Sequence, residues 1–303
     1  MAVERKLQKL DPSAHEDQAL IKLYEQMLAH GTERFIVTPS SLACLDPMYE
    51  SCRNFTPLID ELRGAILLAN EGQVPMTMDP ILLLGEPGVG KTHFASMLGK
   101  LLGTGYAFVS MSQMTAGWIL GGASTQWKGA RKGKIAETLI NDLYANPVVV
   151  IDEIDKAGGQ KEYDPMGTLY SLLEGDTARG FIDEYVDIPL DASKIFWIAT
   201  ANDERNIPSP ILNRMKVITI DKPTKEHIRA IVCTMYADTL KEQHWNFVEK
   251  LSDDVLDVIT SLPPRTMKLM LMSAFRMAKL AGRDHLLPRD IAGVRQEKRP
   301  IGF

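Results

Sequence analysis

Apolar residues recur along the chain with two different periods, and the changes between them divide it into segments. Near the start, Leu20, Leu23 and Met27 follow helical spacing until a Thr-Pro-Ser-Ser turn interrupts the pattern. Residues 1–45 are therefore predicted to form a helical N-terminal extension. Helical spacing returns at residues 58–68 and breaks again over residues 72–80.

Short apolar runs alternate with helical patterns in the middle of the chain. The Val-Val-Val-Ile run at residues 148–151 is typical of a strand buried on both faces of a parallel sheet. Strands that alternate with helices predict an α/β layered domain, which we place at residues 46–221. The predicted strands are 81–84, 106–110, 148–151, 195–200 and 217–220, and the predicted helices among them are 92–102 and 134–144.

The strand pattern stops after Pro223. Three stretches with helical spacing follow, at residues 225–240, 253–261 and 265–281. They predict a small helical domain over residues 222–292, and the basic residues 293–303 form a C-terminal tail.

Composition restricts the class of protein. The 303 residues are 45% hydrophobic and 24% charged, and the net charge of −5 argues against a protein that mainly coats nucleic acid. No apolar run is long enough to span a bilayer, and the charged N-terminus does not fit a secretory signal. Cys44, Cys52 and Cys233 lack metal-binding spacing. We expect a cytoplasmic protein with reduced thiols and no membrane association.

A phosphate-binding motif carries the strongest chemical signal. The segment GEPGVGKT matches G-x-x-x-x-G-K-[ST] and stands between a predicted strand and a predicted helix, which is the context that the motif requires. Its glycines let backbone N–H groups surround phosphate oxygens. Lys91 is expected to reach the β and γ phosphates, and Thr92 to bind magnesium. The predicted ATP-binding residues are Gly85, Glu86, Pro87, Gly88, Val89, Gly90, Lys91 and Thr92.

A second motif, VVVIDEID at residues 148–155, places carboxylates after a buried strand. The carboxyl edge of a parallel sheet is where such folds bind ligands. Asp152 is predicted to hold Mg²⁺ through its water shell, and Glu153 to orient and polarise the attacking water. The alternative is that Asp152 and Glu153 only cap the following segment, and Asp155 is left as solvated or structural. With the phosphate motif present, we favour ATP hydrolysis.

These motifs and the segment IFWIATANDERNIPSPILNRMKVITI at residues 195–220 resemble an AAA+ ATPase, in particular the ATPase module of the Lon protease family. The segment DPMGTLYSLLEGD at residues 164–176 is also similar to that module. The resemblance covers about residues 46–290, and it implies a P-loop α/β domain followed by a helical lid. Since the sequence ends soon after the lid, we expect no Ser-Lys protease domain.

The resemblance implies further site residues. Asn202 is similar to the sensor 1 residue, with a turn-forming Asn as the alternative. Arg214 resembles the arginine finger that reaches the ATP of a neighbouring subunit, although the family usually has Asp at the position of Asn213. Arg265 resembles the sensor 2 arginine, where the family more often has Gly-x-Arg. Tyr49 is compared with the aromatic residue beside the adenine, at a longer spacing.

The segment TQWKGARKGKI at residues 125–135 resembles the aromatic pore loop of the family. Trp127 takes the aromatic position and Lys128 follows it, so both are expected to contact substrate. The alternative is that Trp127 packs in the core. Lys128, Arg131 and Lys132 replace residues that are commonly apolar, which favours an acidic polypeptide and is also compatible with single-stranded nucleic acid.

The sequence thus favours a ring-forming, hexameric AAA+ ATPase that hydrolyses ATP with Mg²⁺ to remodel, unfold or translocate a protein substrate. A separate effector protein is the expected partner, since no protease domain is expected. Two alternatives remain open: a nucleic-acid motor or loader, and a regulatory scaffold whose slow hydrolysis acts as a timer.

Overall fold

The computed structural model describes residues 2–15, 17–113, 117–157, 164 and 166–292, except for the side chains of Arg265 and Ala292. The predicted tail at 293–303 therefore lies outside the described residues. The strands are β1 Ile81–Leu84, β2 Tyr106–Ser110, β3 Val148–Asp152, β4 Phe181–Ile182, β5 Pro189–Leu190, β6 Phe196–Ala201 and β7 Lys216–Thr219. The helices are α1 Ala2–Leu7, α2 Gln18–His30, α3 Asp46–Ser51, α4 Thr56–Gly72, α5 Lys91–Leu102, α6 Trp118–Gly121, α7 Lys134–Asn141, α8 Leu169–Leu172, α9 Gly175–Ala178, α10 Ser209–Leu212, α11 Lys225–Gln243, α12 Asp253–Thr260, α13 Pro264–Leu280 and α14 Pro288–Ala292.

Five of the strands form one parallel sheet in the order β2-β3-β6-β1-β7. The central strands β3 and β6 are buried almost throughout, which agrees with their continuous apolar sequences. Parallel pairing brings the carboxyl ends of β1, β3 and β6 to the same edge of the sheet. The predicted α/β fold and the helical C-terminal region are confirmed.

The helix predicted at residues 134–144 is too long. Helix α7 ends at Asn141, because the next segment pairs with the N-terminal extension instead. Phe35 N–H donates to Leu143 O at 2.9 Å, and Ala145 N–H donates to Phe35 O at 2.7 Å. A backbone partner more than a hundred residues away thus ended a helix that local spacing would have continued.

The described chain divides into two compact units. The first, which we call the sheet unit, consists of residues 1–44, 61–84 and 95–219. Its main core packs around β3 and β6, with Val149, Ile151 and Trp197 among the buried side chains. A smaller cluster buries Leu23 and Tyr24 of α2 against α7, which places the N-terminal extension on this unit.

The second unit, which we call the helical unit, consists of residues 45–60 and 85–94 and of the described residues from 220 to 292. Its core joins α11, α12, α13 and α14 around Phe275, whose ring stacks on Tyr236 and meets Trp245 and Phe247 edge-on. No helix in the described part of the chain combines the length and apolar character needed to cross a membrane.

Candidate functional site

The phosphate loop follows β1 directly and leads into α5. Gly88 and Gly90 have φ values of +91° and +100°, a backbone region that side chains with a Cβ rarely adopt. A Cβ on Gly85 would lie 2.6 Å from Ile220 O, so that position also requires glycine. The glycines of the motif thus have the conformational role that the sequence predicts for them.

The side chains of the loop are arranged around its backbone. Lys91 is buried at the first turn of α5, and its Nζ donates to Glu86 O at 3.0 Å and to Gly85 O at 2.5 Å. Asn54 supports the loop from outside, since its Nδ2 donates to Val89 O at 3.1 Å and to Asp221 O at 3.2 Å. The ammonium group therefore lies along the loop, and Thr92 next to it is exposed.

The second motif leaves the sheet as predicted. Asp152 is the last residue of β3, and its Oδ1 accepts a hydrogen bond from Thr200 Oγ1 at 2.8 Å. The same hydroxyl accepts from the backbone N–H of Glu153 at 3.0 Å. Glu153 adopts a left-handed conformation with φ +54°, which is uncommon for a residue with a side chain. Thr200 thus fixes both acidic residues with one buried hydroxyl.

Asp155 is buried, so of the two readings of the sequence, solvated or structural, only the structural one remains. Its side chain is 0% exposed, and Lys156 Nζ lies 3.7 Å from its Oδ2. Among the described residues, neither carboxylate oxygen has a hydrogen-bond partner. The sequence offered no sign of this burial because the short turn after β3 has no clear apolar period.

Asn202 lies just after β6, at the edge of the sheet where β1 and β3 also end, and it is partly buried. Its neighbour Asp203 caps the following turn, with Oδ1 accepting from Arg205 N–H at 3.0 Å. The Arg205 guanidinium also donates to both carboxylate oxygens, which lowers the pKa of Asp203 to about 2. The turn that follows Asn202 is therefore held by a local ion pair.

The predicted finger Arg214 follows α10 and is 32% exposed. Its Nη2 and Nε donate to Glu174 Oε2 at 3.0 and 3.3 Å, and Nη1 donates to Pro210 O at 2.8 Å. Arg265 lies in the first turn of α13, and its side chain is outside the described residues. The sequence did not single out Glu174, which stands forty positions before its partner.

Tyr49 of α3, the predicted adenine neighbour, is partly buried, and its hydroxyl donates to Asp60 Oδ1 at 2.5 Å. This bond links α3 to the first part of α4. The placement leaves the predicted role in nucleotide binding untested.

The segment at residues 123–132, which we call the Trp127 loop, belongs to the sheet unit. Trp127 is 69% exposed, so it does not pack in the core, and Lys128 is exposed beside it. The base of the loop closes through Ala123 N–H, which donates to Arg131 O at 3.1 Å. Arg131 also lies over the ring of Trp118, 5.0 Å from its centroid.

Asp183 anchors this loop and was also missed. Its buried carboxylate accepts from the backbone N–H groups of Gly133 at 2.7 Å and of Tyr185 and Val186 at 3.0 Å. Burial raises the pKa of Asp183 despite these donors. Its sequence position, in a polar turn between β4 and β5, gives no indication that the carboxylate is buried.

The side chains predicted to face magnesium are compatible with that ion. A hydroxyl such as that of Thr92 and a carboxylate such as that of Asp152 are oxygen ligands of the kind that Mg²⁺ prefers. Among the described residues, no group of three or more His, Cys, Asp or Glu side chains could hold a metal by itself. Magnesium is usually held by one or two protein oxygens together with waters and nucleotide phosphates, so the residues present fit it.

Comparison with known proteins also relates part of the chain to ATPases. The model of the ATPase family associated with various cellular activities (AAA) matches residues 81–223. The chain is 36% identical over 157 residues to a mitochondrial Lon protease homologue of Ostreococcus lucimarinus, over 52% of this chain and 16% of that protein. It is 34% identical over 181 residues to the Lon protease of Methanosarcina barkeri, over 59% of this chain and 23% of that protein. The chain therefore spans less than a quarter of the length of these relatives.

Solved structures show the same fold. The Holliday junction branch migration motor RuvB of Thermotoga maritima superposes with a TM-score of 0.55 at 19% identity, over 84% of this chain and 71% of that chain. At this identity the likeness concerns the fold alone. In sequence, residues 81–223 match the AAA family model, and the chain is similar to Lon proteases over part of its length.

Proposed function

We propose that the protein hydrolyses ATP with Mg²⁺ and uses the energy to remodel, unfold or translocate a protein substrate. The observation that carries this proposal is the phosphate loop: Gly88 and Gly90 at positive φ, followed by buried Lys91 in the first turn of α5. A glycine loop before a helix N-terminus suits anionic phosphates, and Lys91 supplies the positive charge.

The remaining roles follow the chemistry of each side chain. Thr92 and Asp152 would hold magnesium, which would supply positive charge against the phosphates. Glu153 orients the attacking water, and its left-handed backbone and its bond to Thr200 fix where the side chain begins. Asn202 positions water or the γ-phosphate. The proposed nucleotide contacts also include Tyr49, and Arg265 acts as the sensor 2 residue.

We propose a homo-oligomeric ring, a hexamer, in which Arg214 contacts the ATP of the next subunit. Three features are compatible with this role: Arg214 is partly exposed, it lies just after the short helix α10, and it is held by a carboxylate that a phosphate could replace. Substrate contacts the exposed Trp127 and Lys128. A separate effector protein would receive the remodelled substrate.

ATP turnover by the purified chain with magnesium tests the proposed activity. Lys91→Ala removes the proposed phosphate contact, and Lys100→Ala is the matched control, because Lys100 is exposed in the last turn of the same helix. We expect Lys91→Ala to abolish nucleotide binding and turnover and Lys100→Ala to retain both. Equal turnover in both variants would exclude the assigned phosphate site.

A nucleic-acid motor is the second candidate, favoured by the basic residues of the Trp127 loop. A cationic loop with an exposed aromatic ring suits single-stranded nucleic acid, which binds through stacking and phosphate contacts. In that case, single-stranded DNA should stimulate turnover, its binding should weaken with salt, and Lys128→Glu should remove both effects. Stimulation by unfolded polypeptide alone supports the first candidate.

A further inference from the structure

The side chain of Asn54 joins the phosphate loop to the segment that leads into α11. Its Nδ2 donates to Val89 O at 3.1 Å and to Asp221 O at 3.2 Å. The NH₂ group of an asparagine carries two N–H donors, and both are used here. All three residues belong to the helical unit. One amide group therefore connects two backbone carbonyls that lie more than a hundred positions apart in the sequence.

The residues next to Asn54 hold it in place. Asn54 lies in a short 3₁₀ turn, in which Phe55 N–H donates to Cys52 O at 2.8 Å. The buried ring of Phe55 stacks on the ring of Phe94 in α5, with 4.5 Å between the centroids. A Cβ on Gly90 would lie 3.6 Å from the same Phe55 ring. The amide of Asn54 therefore acts from a fixed position beside the start of α5.

The bond to Val89 O sets the orientation of one peptide group in the phosphate loop. This peptide group, between Val89 and Gly90, is trans, so its C=O and its N–H point in opposite directions. Gly90 has φ +100°, and glycine adopts positive and negative φ about equally readily, so the local sequence does not fix this peptide group by itself. A donor that holds Val89 O on one side therefore turns Gly90 N–H to the other side.

Gly90 N–H is a donor of the kind that a phosphate site requires. Phe94 N–H donates to Gly90 O at 2.9 Å, so Gly90 is the N-cap residue of α5. The N–H groups at this end of a helix have no acceptor within the helix, and the helix dipole adds positive charge there. Their direction decides whether they can reach an anion. A side chain that controls the direction of Gly90 N–H therefore affects phosphate binding without contacting the phosphate.

We propose that Asn54 is a positioning residue of the phosphate site. Its amide holds Val89 O so that Gly90 N–H faces a phosphate of the bound nucleotide, and Asp221 O anchors the amide from the other direction. Asn54 acts through the backbone of the loop and does not contact the nucleotide. The proposal rests on the proposed function for the identity of the ligand, which is a nucleoside di- or triphosphate.

A second asparagine allows a matched test. Asn54→Ala removes both donors, and Asn54→Asp keeps the shape but sets carboxylate oxygens against two carbonyl oxygens. Asn70→Ala is the control, because Asn70 is also partly buried and its Nδ2 donates to Pro39 O at 3.0 Å within the sheet unit. Circular dichroism and urea denaturation establish that each variant is folded. Either variant of Asn54 is sufficient if the other one unfolds.

One NMR signal reports on the peptide group directly. Val89-Gly90 is the only Val-Gly pair in the sequence, so a chain with ¹³C in the valine carbonyls and ¹⁵N in the glycines gives a single carbonyl–amide correlation. In the full chain without nucleotide, we expect both Asn54 variants to move the Val89 carbonyl carbon signal to lower frequency, the direction of a lost hydrogen bond. Asn70→Ala should leave this signal unchanged.

ADP with magnesium is the ligand probe, and its affinity for the full chain is measured by isothermal titration calorimetry. We expect Asn54→Ala to weaken ADP binding about tenfold or more, and Asn54→Asp to weaken it at least as much. Asn70→Ala should leave the affinity unchanged. A general loss of stability would affect Asn54→Ala and Asn70→Ala alike, so the difference between them isolates the role of Asn54 in the loop.

An unchanged Val89 signal in the Asn54 variants overturns the proposal, even if ADP binds more weakly, and so does equal ADP affinity in Asn54→Ala and Asn70→Ala. ATP turnover is measured on the same samples. A chain whose ADP binding depends on Asn54 but which hydrolyses no ATP refutes the proposed hydrolysis and not the role of Asn54. A chain that hydrolyses ATP and binds ADP equally in all variants refutes only the role of Asn54. An unmodified chain that binds no ADP refutes both.

Discussion

Arg214 and Glu174 form an ion pair on the sheet unit, with the two guanidinium nitrogens Nη2 and Nε at 3.0 and 3.3 Å from one carboxylate oxygen. Both side chains are partly exposed, at 32% and 51%. Pairs of this exposure contribute at most about 1 kcal/mol to stability. The contact therefore orients Arg214 but is weak enough to be exchanged for another partner. A phosphate of a neighbouring subunit would compete with Glu174 for the same nitrogens.

This competition predicts the effect of Glu174→Gln. The substitution removes the charge and keeps the shape, so we expect turnover at saturating ATP to rise about twofold to fivefold, the equivalent of less than about 1 kcal/mol. In an Arg214→Ala background, where turnover is low, the same substitution should change nothing. Steady-state kinetics on the unmodified protein, the two single variants and the double variant measure these changes in turnover. Equal effects in both backgrounds would mean that Glu174 acts independently of Arg214.

Glu153→Gln tests the proposed general base. The amide keeps the hydrogen-bonding shape but does not polarise water, so turnover should fall about a hundredfold or more. ATP affinity should remain, because the phosphate contacts belong to other residues. Glu249→Gln is the control, since Glu249 is an exposed carboxylate on the helical unit. Nucleotide binding and turnover are measured on both variants, and full turnover in Glu153→Gln would refute the assignment.

Much of the fold could be predicted from local sequence. The buried strands β1, β3 and β6 are continuous apolar runs, and the phosphate motif fixed the strand-loop-helix order around Lys91. The local spacing of apolar residues is sufficient to predict these strands, because a strand that is buried on both faces has a continuous apolar sequence. The exposure of Trp127 also agrees with its position in a segment without apolar period.

The supporting contacts could not be predicted in the same way. Thr200 bonds to Asp152 forty-eight positions away, and Asp183 bonds to Gly133 fifty positions away. Such partners depend on which strands become neighbours in the sheet, and the spacing of residues along the chain does not encode that order. The predicted end of α7 was wrong for the same reason, because Phe35 supplies a backbone partner to Leu143.

Thr200→Val tests the shared hydroxyl at the end of β3. Valine keeps the shape of the buried side chain but leaves Asp152 Oδ1 without this donor and Glu153 N–H without this acceptor. We expect the free energy of unfolding to fall by about 1–3 kcal/mol, the cost of removing hydrogen-bond partners from partly buried polar groups. Turnover should fall with it, since Glu153 loses the bond that holds its backbone. Thr200→Ser keeps the hydroxyl and should retain more of both, as urea denaturation and kinetics would measure.

The turn after Asn202 should respond to acid in a defined window. The Arg205 guanidinium lowers the pKa of Asp203 from 3.8 to about 2, so the folded state binds this proton less readily than the unfolded chain does. The stabilising effect of Asp203 is therefore fully present above pH 3.8 and is lost as the pH falls through about 2. Arg205→Gln should raise the pKa of Asp203 towards its ordinary value, and carboxyl carbon chemical shifts in an NMR titration measure it directly. An Asp203 pKa that is the same in both proteins would show that the ion pair does not hold this turn in solution.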